Sequence, residues 1–188
     1  TSKVAGMFGD RITALLTDGC RALGVENARI SVEDQGALSF TLAARLETAV
    51  RRAGFEPSGE FLLPMSAKCT YGSEHGRLRR SRLYLPGNEP KFYVNAGLHA
   101  PDGVILDLED SVAPAEKDAA RALVRNALRA VDFYGSERMV RINQGEAGLE
   151  DLEWVVPHNV NLILIPKVED PQQVSEVDRR IAAIQQKC

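Results

Sequence analysis

Near the start of the chain apolar positions recur at helical spacing. Val4, Phe8, Ile12, Leu15, Leu16, Gly19 and Leu23 share one face, and Gly24 is placed to end the helix. Gly6, Gly9 and Gly19 each cost about 1 kcal/mol against alanine inside a helix, so this helix needs packing partners. Ala28–Val32 reads as a short strand, Asp34, Gln35 and Gly36 as a turn, and Thr41–Ala53 as a second helix with Leu42, Leu46, Ala49, Val50 and Ala53 inward. Residues 1–54 are too few to bury much surface alone and are expected to form a small, incomplete α+β module. Between residues 55 and 78 the period is lost. Pro57, Gly59, Pro64, Gly72 and Gly76 stand among Ser, Glu and Lys, which predicts a linker, ordered in part by Phe61, Leu62 and Leu63.

From Arg79 to Cys188 the pattern alternates. Arg82–Leu85, Gly103–Leu108, Arg138–Ile142 and Asn161–Ile165 read as strands. Each is followed by a helical stretch: Pro90–Leu98, Pro114–Val131, Leu149–Val156 and Pro171–Gln186. The second of these is the clearest, with Ala120, Leu123, Val124, Ala127, Leu128 and Val131 at i, i+3, i+4, i+7, i+8 and i+11. Four βα units imply parallel strands joined by helical crossovers, hence an α/β fold. Two architectures fit: the first four βα units of a (β/α)8 TIM barrel, or a small doubly wound sheet. The first strand is followed by Pro86-Gly87-Asn88-Glu89-Pro90 rather than a G-x-G-x-x-G loop, which favours the half barrel over residues 79–188.

Composition narrows the function. Apolar residues make up 44% and charged residues 26%, the balance of a globular domain. The net charge of −3 argues against a nucleic-acid partner. No apolar run is long enough for a transmembrane helix, and no signal-peptide pattern opens the chain. Cys20, Cys69 and Cys188 are scattered, with no ligand spacing to His75, His99 or His158, so they are expected as reduced cytoplasmic thiols.

Candidate chemistry collects where the strands end. In Gly103–Pro114, GVILDLEDSVAP, an apolar strand runs into Asp107, Glu109 and Asp110. Burying a lone carboxylate is costly, so these acids require partners. The third strand ends at Arg141 and Asn143, and the fourth at Pro166, Lys167 and Glu169. In a barrel such positions build the active site. Simpler roles remain open: Glu109 and Asp110 as helix N-terminal acids, Lys167 and Glu169 as a solvated loop. An Arg on a rigid strand suits a carboxylate, and clustered acids suit Mg²⁺. Together they suit a 2-oxo or 3-hydroxy acid and C–C bond chemistry through an enolate.

The stretches RRSRLYLPGNEP (Arg79–Pro90), GVILDLEDSVAPAEKDAAR (Gly103–Arg121), MVRINQ (Met139–Gln144) and LILIPKVED (Leu162–Asp170) closely resemble the citrate lyase β-subunit of the HpcH/HpaI aldolase and malyl-CoA lyase superfamily. Phe8–Gly54, through VEDQGAL and ARLETA, resembles the later part of the citrate lyase γ-subunit, the acyl carrier protein. The two together resemble a γ–β fusion and imply citrate lyase rather than malyl-CoA lyase. The implied reaction is Mg²⁺-dependent cleavage of a citryl thioester to oxaloacetate and an acetyl thioester. The thioester carrier would be a phosphoribosyl-dephospho-CoA group or CoA. Implied partners are a citrate lyase α-subunit, the acyl carrier and, for the full barrel, further copies of itself. By position in the motifs, Arg141 is expected to bind substrate, Arg80 to lie near it, and the catalytic acids Glu109 and Asp110 to lie near the metal.

The resemblance also implies what is missing. Residues 79–188 number 188 − 79 + 1 = 110, about half of the 200–250 that a barrel needs. The family's direct Mg²⁺ ligands lie on the fifth and sixth strands, expected beyond Cys188, and the carrier's attachment Ser is expected before Thr1. The chain is therefore expected to be a fragment, inactive alone and without strong Mg²⁺ binding. Alternatives are a malyl-CoA or methylmalyl-CoA lyase and a non-catalytic assembly module.

Overall fold

The computed structural model describes residues 1–187 and divides into two compact units, Thr1–Leu63 and a second from Pro64 onward.

In the first unit, helix α1 (Ala5–Ala22) packs on helix α2 (Ser39–Arg52). Their core is Leu23, Ala43, Leu46 and Phe61, flanked by Leu15, Leu16, Cys20, Val25, Val50 and Leu63. Gly19 makes this packing possible, because a Cβ there would stand 2.4 Å from a Leu46 methyl carbon. Gly24 ends α1 at φ +75, the left-handed geometry that glycine adopts without strain. The expected turn is present. Asp34 accepts hydrogen bonds from the backbone N–H groups of Gly36 and Ala37 and one from Ser2 Oγ. The strand expected at Ala28–Val32 does not form, and only an isolated bridge joins Ser2 to Asp34. A strand needs a neighbouring strand to satisfy its backbone, and residues 28–32 meet none among the described residues. Cys20 and Cys69 are free thiols, while Cys188 lies outside the described residues.

The second unit is built on a parallel sheet of β1 (Arg82–Pro86), β2 (Gly103–Asp107), β3 (Glu137–Arg141) and β4 (Leu162–Leu164), in the order β1-β2-β3-β4. The order runs without the reversal that defines a doubly wound sheet. Helices α3 (Pro90–Ala96), α4 (Lys117–Ala130), α5 (Gly145–Val155) and α6 (Pro171–Gln185) follow their strands. Consecutive helices touch, α4 on α5 and α5 on α6. The helix expected at Leu149 starts earlier, at Gly145, because Asp151 reaches back to take the Asn143 N–H and so folds the preceding loop into the helix. Gly148 lets that loop close, since a Cβ would stand 2.0 Å from the Asn143 carbonyl oxygen.

Most of the expected linker is ordered against the second unit. Residues 64–78 lie against the second unit as a strap. Cys69 is fully buried with Sγ on the Val131 carbonyl, and Tyr71 Oη donates to the Ser136 carbonyl. Buried Arg138 donates to the Cys69 and Tyr71 carbonyls and stacks 4.1 Å from the Tyr71 ring centre. Ser73 and Arg79 both bond Glu137 at the start of β3. The strap thus fastens the end of the sheet at which the strands begin.

Candidate active site at the strand ends

Strand register creates the site. Asp107, the last residue of β2, is the direct partner of Arg141, the last residue of β3. Partners on adjacent parallel strands point to the same face and lie about 5 Å apart. The guanidinium therefore meets the carboxylate in a two-pronged bond, Nε to Oδ1 and Nη2 to Oδ2, both 2.7 Å. Asp107 is 1% exposed. Burial alone would raise its pKa, but the Arg141 fork, Ser111 and the Glu109 N–H outweigh it and hold the carboxyl at about 2. The same contact pushes the Arg141 pKa up.

The third prong of Arg141 faces the other two acids. Nη1 lies 3.2 Å from Glu109 Oε2 and 3.5 Å from Asp110 Oδ2. Lys167 enters from the loop after β4, with Nζ 2.7 Å from Glu109 Oε1 and 3.0 Å from Asp110 Oδ1. Its ammonium pKa is raised by Glu109 and then by Asp110, and the Asp110 carboxyl is lowered mainly by Lys167. Gln144 donates to Glu109 Oε1 at 3.0 Å. Tyr84, on β1, lays its ring 5.2 Å from the guanidinium carbon. From below, Lys117 donates to the Leu108 and Glu109 carbonyls and so fixes the turn that carries the acids. Gly87 permits β1 to approach the same turn: its N–H donates to the Asp107 carbonyl, and a Cβ would lie 2.5 Å from that oxygen.

Three buried side-chain atoms among the described residues lack a hydrogen bond, Tyr93 Oη, Arg138 Nε and Glu109 Oε2, and the last lies against Arg141. Glu109 is 5% exposed, yet its Oε2 has no hydrogen bond, the Arg141 contact being close but misaligned. A buried carboxylate oxygen without a bond is costly, and it marks where a ligand or water would be welcome.

Three of the four site residues expected from the motifs, Arg141, Glu109 and Asp110, come together. Arg80 does not. It precedes β1, on the opposite end of the sheet, roughly 20 Å of strand away from Pro86. There it pairs with Asp102 at 3.0 Å and stands 75% exposed. A residue before a parallel strand belongs to the end where strands begin, so it cannot reach the end where they finish. Asn143 turns away to Asp151, and the Glu169 backbone joins the cap of α6. Tyr84 and Gln144 were not singled out from sequence. For Tyr84 the signal is parity: it pairs with Ile105, two residues before Asp107, and so shares its face.

The acids by themselves do not make a metal site. Among the described residues no group of three or more His, Cys, Asp or Glu is placed to hold a metal ion. Asp107 is committed to Arg141, and Asp110 to Lys167. Glu109 Oε2 is buried without a hydrogen bond, which fits a water-mediated contact and not a chelating set.

Residues 80–188, more than half of the chain, match the model of HpcH/HpaI aldolase/citrate lyase. The chain belongs to the HpcH/HpaI aldolase/citrate lyase family. Residues 1–53 match an acyl-carrier (ACP) model described as malonate decarboxylase delta subunit (MdcD). The chain is 40% identical over 114 residues to citrate lyase subunit beta of Haemophilus influenzae, covering 60% of this chain and 39% of that protein. It is 44% identical over 91 residues to (3S)-malyl-CoA thioesterase of Cereibacter sphaeroides, 47% of this chain and 32% of that one. Over 100 residues it is 36% identical to human mitochondrial citramalyl-CoA lyase, 51% of this chain and 29% of that protein. The chain thus spans at most 39% of the length of these relatives.

Proposed function

We propose that the protein carrying this chain is a citryl-thioester lyase that cleaves a C–C bond to release oxaloacetate and an acetyl thioester. The observation that carries this is Arg141, clamped through two prongs by Asp107 with its third prong turned toward Glu109 and Asp110. A guanidinium held in that way is pre-organised to take a substrate carboxylate. The free Oε2 of Glu109 lies beside that prong, where it can accept a hydrogen bond from a substrate hydroxyl. Asp110 lies on Lys167 at the exposed rim of the same group.

The finer parts of this reading rest on the resemblance. They are a (β/α)8 barrel completed by four further βα units, an acyl carrier in the N-terminal segment, a citrate lyase α-subunit and further copies as partners, and a cytoplasmic location. No helix of the described residues is long and apolar enough to cross a membrane. Mg²⁺ belongs to the same proposal, with its direct ligands outside the described residues. The acyl group would travel on a phosphoribosyl-dephospho-CoA-type or CoA thioester.

A second reading has support of its own, since relatives named for malyl-CoA and citramalyl-CoA share the same region. The acyl-carrier match over residues 1–53 favours the citryl thioester. The test is oxaloacetate release by the intact protein from citryl-CoA and citryl-carrier, against glyoxylate release from malyl-CoA. The citryl substrates are expected to win, and Arg141→Met to abolish turnover with the protein still folded. A preference for malyl-CoA, or an Arg141→Met variant with full activity, refutes the assignment.

A further inference from the structure

Two cations converge on one exposed carboxylate. Asp110 presents Oδ1 to Lys167 Nζ at 3.0 Å and Oδ2 to Arg141 Nη1 at 3.5 Å. Its side chain is 58% exposed, so it can swing into water, whereas Glu109 beneath it is locked in place by Lys167, Gln144 and burial. Lys167 holds its position at φ 49, a left-handed backbone that a lysine adopts only at a cost. Surface ion pairs do not ordinarily require such a backbone, and most contribute little to stability. A strained cation aimed over the strand ends points instead to a ligand, and the unbonded Glu109 oxygen beside it is an acceptor for the hydroxyl of a 3-hydroxy acid.

We propose that Lys167 is a substrate-binding residue. With Arg141 Nη1 it forms a two-pronged seat for a ligand carboxylate, and the Asp110 carboxylate occupies that seat until a small 2-oxo or 3-hydroxy acid displaces it. The exchange is like for like: one carboxylate replaces another between the same two cations, and the charge of the site is unchanged. Asp110 then acts as an internal competitor that keeps Lys167 and Arg141 apart from stray anions. The inference rests on the assignment of this site to carboxylate binding.

The test is titration of pyruvate, with methyl pyruvate as the uncharged control, into the whole chain, followed by calorimetry or amide chemical shifts. Lys167→Met is expected to weaken pyruvate binding about tenfold, the loss of one charge-assisted bond at a half-exposed site. Lys167→Arg should keep it within about threefold, since the charge is retained. Asp110→Asn should tighten it, because the competitor is gone, and methyl pyruvate should not bind. Circular dichroism and Trp154 fluorescence confirm that each variant is folded. If Lys167→Met binds as the wild type does while Arg141→Met loses binding, the role of Lys167 is overturned and the carboxylate site stands. If Arg141→Met also binds normally, the site assignment itself falls. Should neither the wild type nor Asp110→Asn bind pyruvate, the seat does not exist.

Discussion

Replacing Asp107 by Asn tests whether the buried ion pair organises the site. The carboxylate accepts four hydrogen bonds: two from Arg141, one from the Glu109 N–H and one from the Ser111 N–H. Its pKa falls from the ordinary 3.8 to about 2. That depression corresponds to about 2 kcal/mol of stability at neutral pH. Asn keeps one acceptor but turns an NH₂ group toward the guanidinium, so the partly buried Arg141 loses its two-pronged partner and keeps only the longer contacts to Glu109 and Asp110. Together these effects should cost about 2–4 kcal/mol. Trp154, the single tryptophan, sits in α5 of the same unit and reports its unfolding. In urea the midpoint should drop by about 1–2 M at pH 7. The pH dependence fixes the cause. Because the folded pKa is depressed, the contribution is present above pH 3.8 and is lost as pH falls toward 2. The gap between wild type and variant should therefore close between those limits. Equal midpoints at pH 7, or a gap that stays constant down to pH 2, refutes the account of Asp107 as a charged clamp.

Three further expectations follow from other positions. His158 is buried, and burial, then Arg125 and Arg129, lower its pKa from 6.5 to about 4. The fold therefore resists its protonation, and up to about 3 kcal/mol of stability is lost as pH falls from 6.5 toward 4. His158→Gln should flatten the urea midpoint over that window, and an unchanged slope would assign the effect elsewhere. Gly87→Ala should push β1 away from the Asp107 carbonyl and lower the urea midpoint by about 1 M or more, read by Trp154 fluorescence. Arg80→Met should leave both pyruvate affinity and the citryl-lyase activity of the intact protein unchanged, because Arg80 bonds Asp102 at the far end of the sheet. A loss of either would bring Arg80 back to the site.

The elements were legible where period and punctuation agreed. Pro114 and the apolar row from Ala120 to Val131 mark α4, observed as a 3₁₀ turn at Pro114–Glu116 followed by Lys117–Ala130. Pro171 opens α6 as expected, and the structure adds a capping box between Asp170 and Gln173. The strand at Ala28–Val32 misled because alternation records what a residue would do beside a neighbour, and cannot say whether the neighbour is there. The strap at residues 64–78 was illegible for the opposite reason. Its order comes from Arg138 and Glu137, each more than fifty residues away in sequence, and not from any period of its own. Of the site, Arg141, Glu109 and Asp110 followed from motif order. Arg80 misled because the motif assigned it a place near substrate although it stands before its strand, at the end where the strands begin and where it bonds Asp102. Register is what separates Tyr84, which reaches Arg141, from Arg80, which does not.

The three acids of LDLED then divide by geometry. Asp107 and Glu109 lie two residues apart, so an extended chain turns both to one face while Leu108 turns into the core, fully buried. Asp107 is still in the strand and opposite Arg141, so its charge is spent on holding the guanidinium. Glu109 has passed the last ladder pair and keeps one oxygen without a bond. Asp110 has left the sheet and meets only groups that solvent can compete for. A strand can end in three acids because each meets a different share of positive charge: a full fork, a buried lysine contact with an oxygen to spare, and a loose bridge. The order of burial, Asp107 before Glu109 before Asp110, is also the order in which a ligand could displace them, last residue first. Carboxylate binding that was weakened by Asp110→Asn and left untouched by Asp107→Asn would invert that order and break the assignment.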